Sequence, residues 1–157
     1  MPAVFLALQE GALGHLMRSS PVLYPAAEIL HIVGFSLLVG SIVALDLRLL
    51  GLGRAIAIPP MAALLLPLSR VGFVMAICMG FLLFTADAAH VVRNPAFQVK
   101  LLLIASALAN VVVAHIGPWR RMPLWHGDIP RAAKIGALVS ILLWLSIVCA
   151  GRLIAYL

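Results

Sequence analysis

Charge is scarce in this 157-residue chain: only 10% of residues are Asp, Glu, Lys or Arg, and acidic residues number five against eleven basic ones. With 64% of residues hydrophobic, a soluble core of this size has nowhere to bury so much apolar surface. Cysteine is nearly absent. Cys78 and Cys149 both fall deep inside apolar runs, where a thiol acts as a small hydrophobe rather than as a disulfide partner. The chain also lacks a phosphate-cradling glycine loop, a paired-cysteine metal motif and a nucleophile with a nearby base, which argues against nucleotide-driven and hydrolytic chemistry. No linker, low-complexity tract or internal repeat interrupts it. Basic residues are not interleaved with aromatics, so the net charge of +6 does not point to nucleic acid.

What is present is four long apolar segments, at residues 22–50, 66–92, 96–119 and 132–157. Each exceeds the roughly 20 residues needed to cross a bilayer. The short connections between them force sequence neighbours to run antiparallel. The expected architecture is therefore an all-α integral membrane protein, one up-and-down four-helix bundle spanning residues 1–157, with the lipid bilayer as its first partner. In the first twenty residues Val4, Phe5, Leu8, Ala12 and Leu16 recur at helical spacing, as in a short amphipathic helix lying in the interface. The segment has no basic opening and holds Glu10, His15 and Arg18, unlike a cleaved signal. Ser36, Gly40 and Ala44 offer a strip of small residues for close helix approach, and Pro67 is placed to start the second span.

Lys and Arg accumulate in loops that remain in the cytoplasm. Arg48 and Arg54 flank the first loop, and Arg120, Arg121, Arg131 and Lys134 the third, whereas the other side has Arg18, Arg93, Arg152 and the deeper Lys100. This places both termini outside, on the periplasmic face of a bacterial inner membrane, with the basic loops against anionic headgroups. Arg70 is expected to snorkel to the cytoplasmic interface.

Ionisable residues within spans are costly, and they mark sites or pairings inside the bundle. Glu28 and His31 lie three apart on one helix face, with His31 about 15 Å in from Pro21. Both are expected to point inwards, paired with one another or holding a ligand. Asp87 and His90 repeat that spacing near the outer end of the second span, so that the carboxylate could hold one ring nitrogen and leave the other for a metal, at a shallower depth than His31. Lys100 enters at the start of the third span. It needs a partner: a carboxylate such as Glu28 or Asp87, or an anionic group on a cofactor. His115, about 22 Å further along that helix, cannot share a site with Lys100 and groups instead with Asp46, Arg48, Trp119 and His126.

The runs His31-Ile-Val-Gly34, Asp46-Leu-Arg48-Leu-Leu and Asn94-Pro-Ala-Phe97-Gln-Val-Lys100-Leu-Leu-Leu resemble a bacterial domain-of-unknown-function family of small four-helix membrane proteins. More distantly the chain is similar to the membrane domain of CopD-like copper-resistance proteins and to HemJ-like protoporphyrinogen oxidases. The latter resemblance implies haem b, with the functional His and Lys falling on His31 and Lys100. The chain departs from that pattern in having Asp46-Leu-Arg48 where a Pro-Arg pair is expected, and in lacking clustered Trp and paired His. Three readings follow. A small b-type cytochrome would use His31 and His90 as candidate metal ligands, with Glu28 and Lys100 beside the cofactor, and would exchange electrons with a quinone or a redox partner protein. A copper- or ion-handling module would add Met75, Cys78 and Met79 as soft ligands. A structural anchor in a homo- or hetero-oligomer would use the polar residues for helix register alone.

Overall fold

The computed structural model describes residues 3–125 and 128–156, with Arg121, Pro123 and Leu124 described by backbone only; His126 lies outside the described residues. Among the described residues seven α-helices follow one another: α1 (Ala3–Glu10), α2 (Ala12–Ser19), α3 (Leu23–Leu50), α4 (Ile58–Ala86), α5 (Ala88–Val91), α6 (Pro95–Ile116) and, after a 3-10 segment at Pro118–Leu124, α7 (Arg131–Leu153). Helices α3, α4, α6 (extended through Arg120) and α7 are each long and apolar enough to cross a membrane. Their outer faces carry exposed apolar side chains such as Ile32, Val71, Leu102 and Leu142, which suit lipid rather than water. The chain is an all-α four-helix bundle of the multi-pass membrane class.

Local chemistry sets the ends of the spans. Gly51 closes α3 in the left-handed region at φ 111°, its N–H donating to the Arg48 carbonyl and that of Leu52 to the Leu47 carbonyl, a termination that glycine makes without steric cost. Arg48 fixes the following loop by donating to the carbonyls of Ile56 and Arg54. Helix α4 starts eight residues earlier than the hydropathy pattern predicts, with Pro59 and Pro60 in its first turn, where missing N–H groups cost nothing. Pro67 therefore lies inside α4 rather than at its start. Asn94 caps α6, its Oδ1 accepting from the N–H groups of Ala96 and Phe97, while its Nδ2 donates to the Ile154 carbonyl and ties the start of α6 to the end of α7.

Packing departs from the sequence reading in two places. The close approach between α3 and α4 does not use Ser36, Gly40 and Ala44: Ser36 and Gly40 are exposed, and a Cβ on Gly40 would meet nothing within 4 Å. Gly34 and Gly72 make it instead. A Cβ on Gly72 would lie 2.6 Å from both the Gly34 carbonyl and the Leu38 nitrogen, and one on Gly34 would lie 2.8 Å from the Ala76 nitrogen. The N-terminal segment, expected as a single interfacial helix, breaks at Gly11 into α1 and α2. Helix α2 docks on α4, burying Met17 against Ala27 and Ala86. Arg18 locks this arrangement by donating to the carbonyls of Gln9 and Ala86, the latter one of the free acceptors at the end of α4.

The helix arrangement is uneven. Helix α3 packs on α4 and on α7, and α6 packs on α7, but among the described residues α4 and α6 do not form a packed pair although they are consecutive spans. Ala96 and Ala107 are the only buried residues of α6. A cleft therefore runs along the bundle between α4 and α6, floored by α3 and α7.

Gly72→Ala should destabilise the bundle by about 1–3 kcal/mol, the usual cost of forcing an extra carbon into a packed contact. Gly40→Ala should leave stability within about 0.5 kcal/mol. Denaturation of the purified variants in detergent, followed by circular dichroism, compares the two.

Candidate functional site

Two cavities occupy the cleft, and Leu38, Phe73 and Trp144 line both. The one nearer the chain termini has a volume of about 290 Å³ and is lined by His31, Lys100 and an apolar set rich in aromatic rings: Phe35, Phe73, Phe81, Phe84, Phe97 and Trp144. Phe84 and Phe97 stack at 5.4 Å across the cleft, and Phe5 of α1 meets Phe84 edge-on at 6.0 Å, so the N-terminal segment braces the outer wall.

His31 is the best-defined polar group of this cavity. Its Nδ1 lies 2.7 Å from the Ala76 carbonyl oxygen of α4. A carbonyl only accepts, so Nδ1 carries the hydrogen and the free acceptor is Nε2. A backbone carbonyl holding one imidazole nitrogen is the usual device for fixing a metal-binding histidine in one tautomer and orientation. Gly80, one turn beyond Ala76, provides the room. A Cβ there would stand 2.9 Å from His31 Cε1, too close for any real side chain.

Lys100 reaches the same cavity from α6, with its aliphatic stem and Nζ beside Gly151 of α7, whose missing side chain leaves space for them. The structure thus brings two of the candidate residues, His31 and Lys100, to one cavity. It does not bring the others. Glu28 is exposed, so it does not share the inward face of His31 as its spacing predicts. The helix turns 300° between the two positions, and that 60° offset is enough to move a side chain at this edge from cleft to outer surface. His90 has a side chain 74% exposed, with its Nδ1 3.5 Å from Asp87 Oδ2, and it does not line the cavity. The cause is the break at Asp87, where φ −146° and ψ 48° end α4 and redirect the chain into α5. Among the described residues that His90–Asp87 contact is the one approach within 4 Å between a carboxylate and a His, Lys or Arg nitrogen, so Lys100 is paired with neither Glu28 nor Asp87. The soft ligands are divided as well: Met79 packs in the cluster around Met17, and Cys78 is exposed.

The second cavity, about 500 Å³, lies towards the opposite end of the bundle. Asp46, expected in an interfacial network with His115, Arg48, Trp119 and His126, is instead buried on α3 and lines this cavity, with the Ser140 hydroxyl of α7 against its carboxyl. His115 and Trp119 stack at 6.2 Å and line the same cavity, while Arg48 turns away to the loop. The Ala76 carbonyl, Gly80 and Gly151 carry no chemical signature in sequence. Their roles depend on the register of one helix against another.

Comparison with protein-family models, with curated proteins and with solved structures gives no match.

The fit between Gly80 and His31 is directly testable. Gly80→Ala should displace the imidazole and break its bond to the Ala76 carbonyl, lowering stability by about 1–3 kcal/mol and shifting the His31 ring resonances in NMR spectra. Unchanged resonances would show that the ring does not rest on Gly80.

Proposed function

We propose that the chain is a small membrane electron-transfer protein that binds haem b in the His31 cavity. The observation that carries this reading is the His31 geometry: Nδ1 donates to a backbone carbonyl and Nε2 is left as the sole free nitrogen of a ring lining a cavity of aromatic and aliphatic side chains. The donor chemistry of these residues fits the group. His31 Nε2 would be its protein ligand, Lys100 would neutralise an anionic edge, and the phenylalanine rings with Trp144 would flank a flat apolar body. When bound, haem supplies a one-electron couple whose potential follows from axial ligation, burial and nearby charge. The chain's own part is to fix the imidazole through Ala76 and Gly80, to keep water away with the Phe5, Phe84 and Phe97 contacts, and to hold a cation at Lys100. One histidine comes from the protein, because His90 lies outside the cavity. The resemblance to HemJ-like proteins agrees with this pair of residues.

In this reading the chain sits in a bacterial inner membrane with both termini on the periplasmic side and the haem cavity in that half of the bundle. Arg48, Arg54, Arg131 and Lys134 support the sidedness. Arg18 counts little against it, being committed to the carbonyls of Gln9 and Ala86.

The purified protein should show a b-type reduced-minus-oxidised spectrum that His31→Ala abolishes and that imidazole partly restores in His31→Gly. Lys100→Met should keep the haem and shift its midpoint potential, with Lys100→Arg restoring charge but not geometry. Full haem occupancy in His31→Ala would overturn the assignment. Sidedness is read from single cysteines: in intact cells one at Arg54 should resist an impermeant thiol reagent and one at Gln98 should react.

A further inference from the structure

The larger cavity has a chemistry that the haem reading does not use. Asp46 is more than nine-tenths buried, and its Oδ2 has no hydrogen-bond partner among the described residues. Trp144, only 3% exposed, likewise has an unpartnered Nε1 and lines the cavity. An orphaned acceptor and an orphaned donor in a membrane interior are expensive, since no water is at hand to satisfy them. Asp46 Oδ2 calls for a donor, and the indole N–H of Trp144, which lines both cavities, calls for an acceptor.

The remaining walls narrow the class. They are mainly aliphatic, with the flat faces of Phe73, Trp119 and Trp144, which suit an aromatic ring with an apolar tail. Arg70 and His115 also line the cavity and disfavour a cationic ligand for the carboxylate. The cavity lies between α4 and α6, which form no extensively packed pair among the described residues, and a lateral route from the hydrocarbon layer would suit a lipid-soluble compound.

We propose that this cavity binds a lipid-soluble quinol, one hydroxyl donating to Asp46 Oδ2 and the ring lying among Phe73, Trp119 and Trp144. The site stands on its own residues and does not depend on whether His31 holds haem.

The experiment titrates the full-length protein in lipid nanodiscs with a decyl-substituted benzoquinol kept reduced and, separately, with its dimethyl ether, which has the same ring and tail but no hydroxyl. Quenching of tryptophan fluorescence reports binding, since Trp119 and Trp144 line the cavity. The quinol should bind on the order of tenfold more tightly than the ether, the upper end of the usual worth of a hydrogen bond. In Asp46→Leu the two compounds should bind alike. The wild-type preference should persist in His31→Ala, so that loss of the haem assignment and loss of this one are read separately. Equal binding of both compounds by the wild type, as an acyl-chain groove would give, overturns the proposal, as does the absence of saturable quenching. A preference that survives Asp46→Leu does so too, and if that variant fails to accumulate the wild-type ratio decides alone.

Discussion

The contact between Gly34 and Gly72 sets the geometry of everything that follows from α3 and α4. Backbone lies directly against backbone there, with no side chain between, and the register of the two helices is fixed to within a fraction of a residue. His31 stands one turn before Gly34, and Ala76 and Gly80 stand one and two turns after Gly72. Once the glycines meet, the imidazole of His31 falls beside the Ala76 carbonyl and over the bare backbone of Gly80. A slip by one residue would turn Gly80 away by about 100° and replace it with Met79 or Phe81. The orientation of the one deeply placed histidine of the cleft is thus a consequence of helix packing rather than of any polar network.

A second constraint acts at the level of helix order. The loop joining α3 and α4 is short and tightly hydrogen-bonded through Arg48, and these helices pack closely. Asn94 and Asn110 join α6 to α7 at two levels, the first through the Ile154 carbonyl and the second through that of Gly136. The bundle is in effect two tight hairpins meeting along α3 and α7. Helices α4 and α6 both flank the two cavities beside that seam. The bulky rings of Phe73 and Trp144 partition the resulting cleft and keep two separate volumes instead of one channel.

The spans, the bundle and the inward placing of His31 and Lys100 were legible in sequence because they follow from hydropathy and from the cost of ionisable groups in lipid, both properties of single residues. Glu28 and His90 were misplaced because spacing along a helix constrains only relative angle. The 60° between positions i and i+3 straddles the edge of the cleft for Glu28, and the chain breaks at Asp87 before His90 is reached. The strip of small residues at Ser36, Gly40 and Ala44 satisfied the same spacing rule as Gly34 and Gly72, and only the partner helix distinguishes a strip that is used from one that faces lipid. The early start of α4 was hidden by Pro67, a residue that reads as a helix start but is tolerated within a span where neighbours satisfy the freed carbonyl.

The distribution of polar atoms gives the cleft its meaning. In a bundle whose four helices packed on all sides, Asp46, His31 and the Trp144 indole would face apolar neighbours, each at a cost of about 1–3 kcal/mol for an unmet hydrogen bond. Here they line the two volumes that helix order keeps open. The outward faces of the spans, by contrast, present mainly valine, leucine and isoleucine to lipid, with Glu28 a charged exception on α3. Such segregation is poorly explained by helix register alone, because register can be set by Gly34 and Gly72 with no polar group at all. It is explained if the polar atoms address molecules that enter the cleft: a ligand with a coordinating centre in one half, where a single imidazole nitrogen is free, and a hydrogen-bonding ligand in the other, where a carboxylate oxygen is unmet.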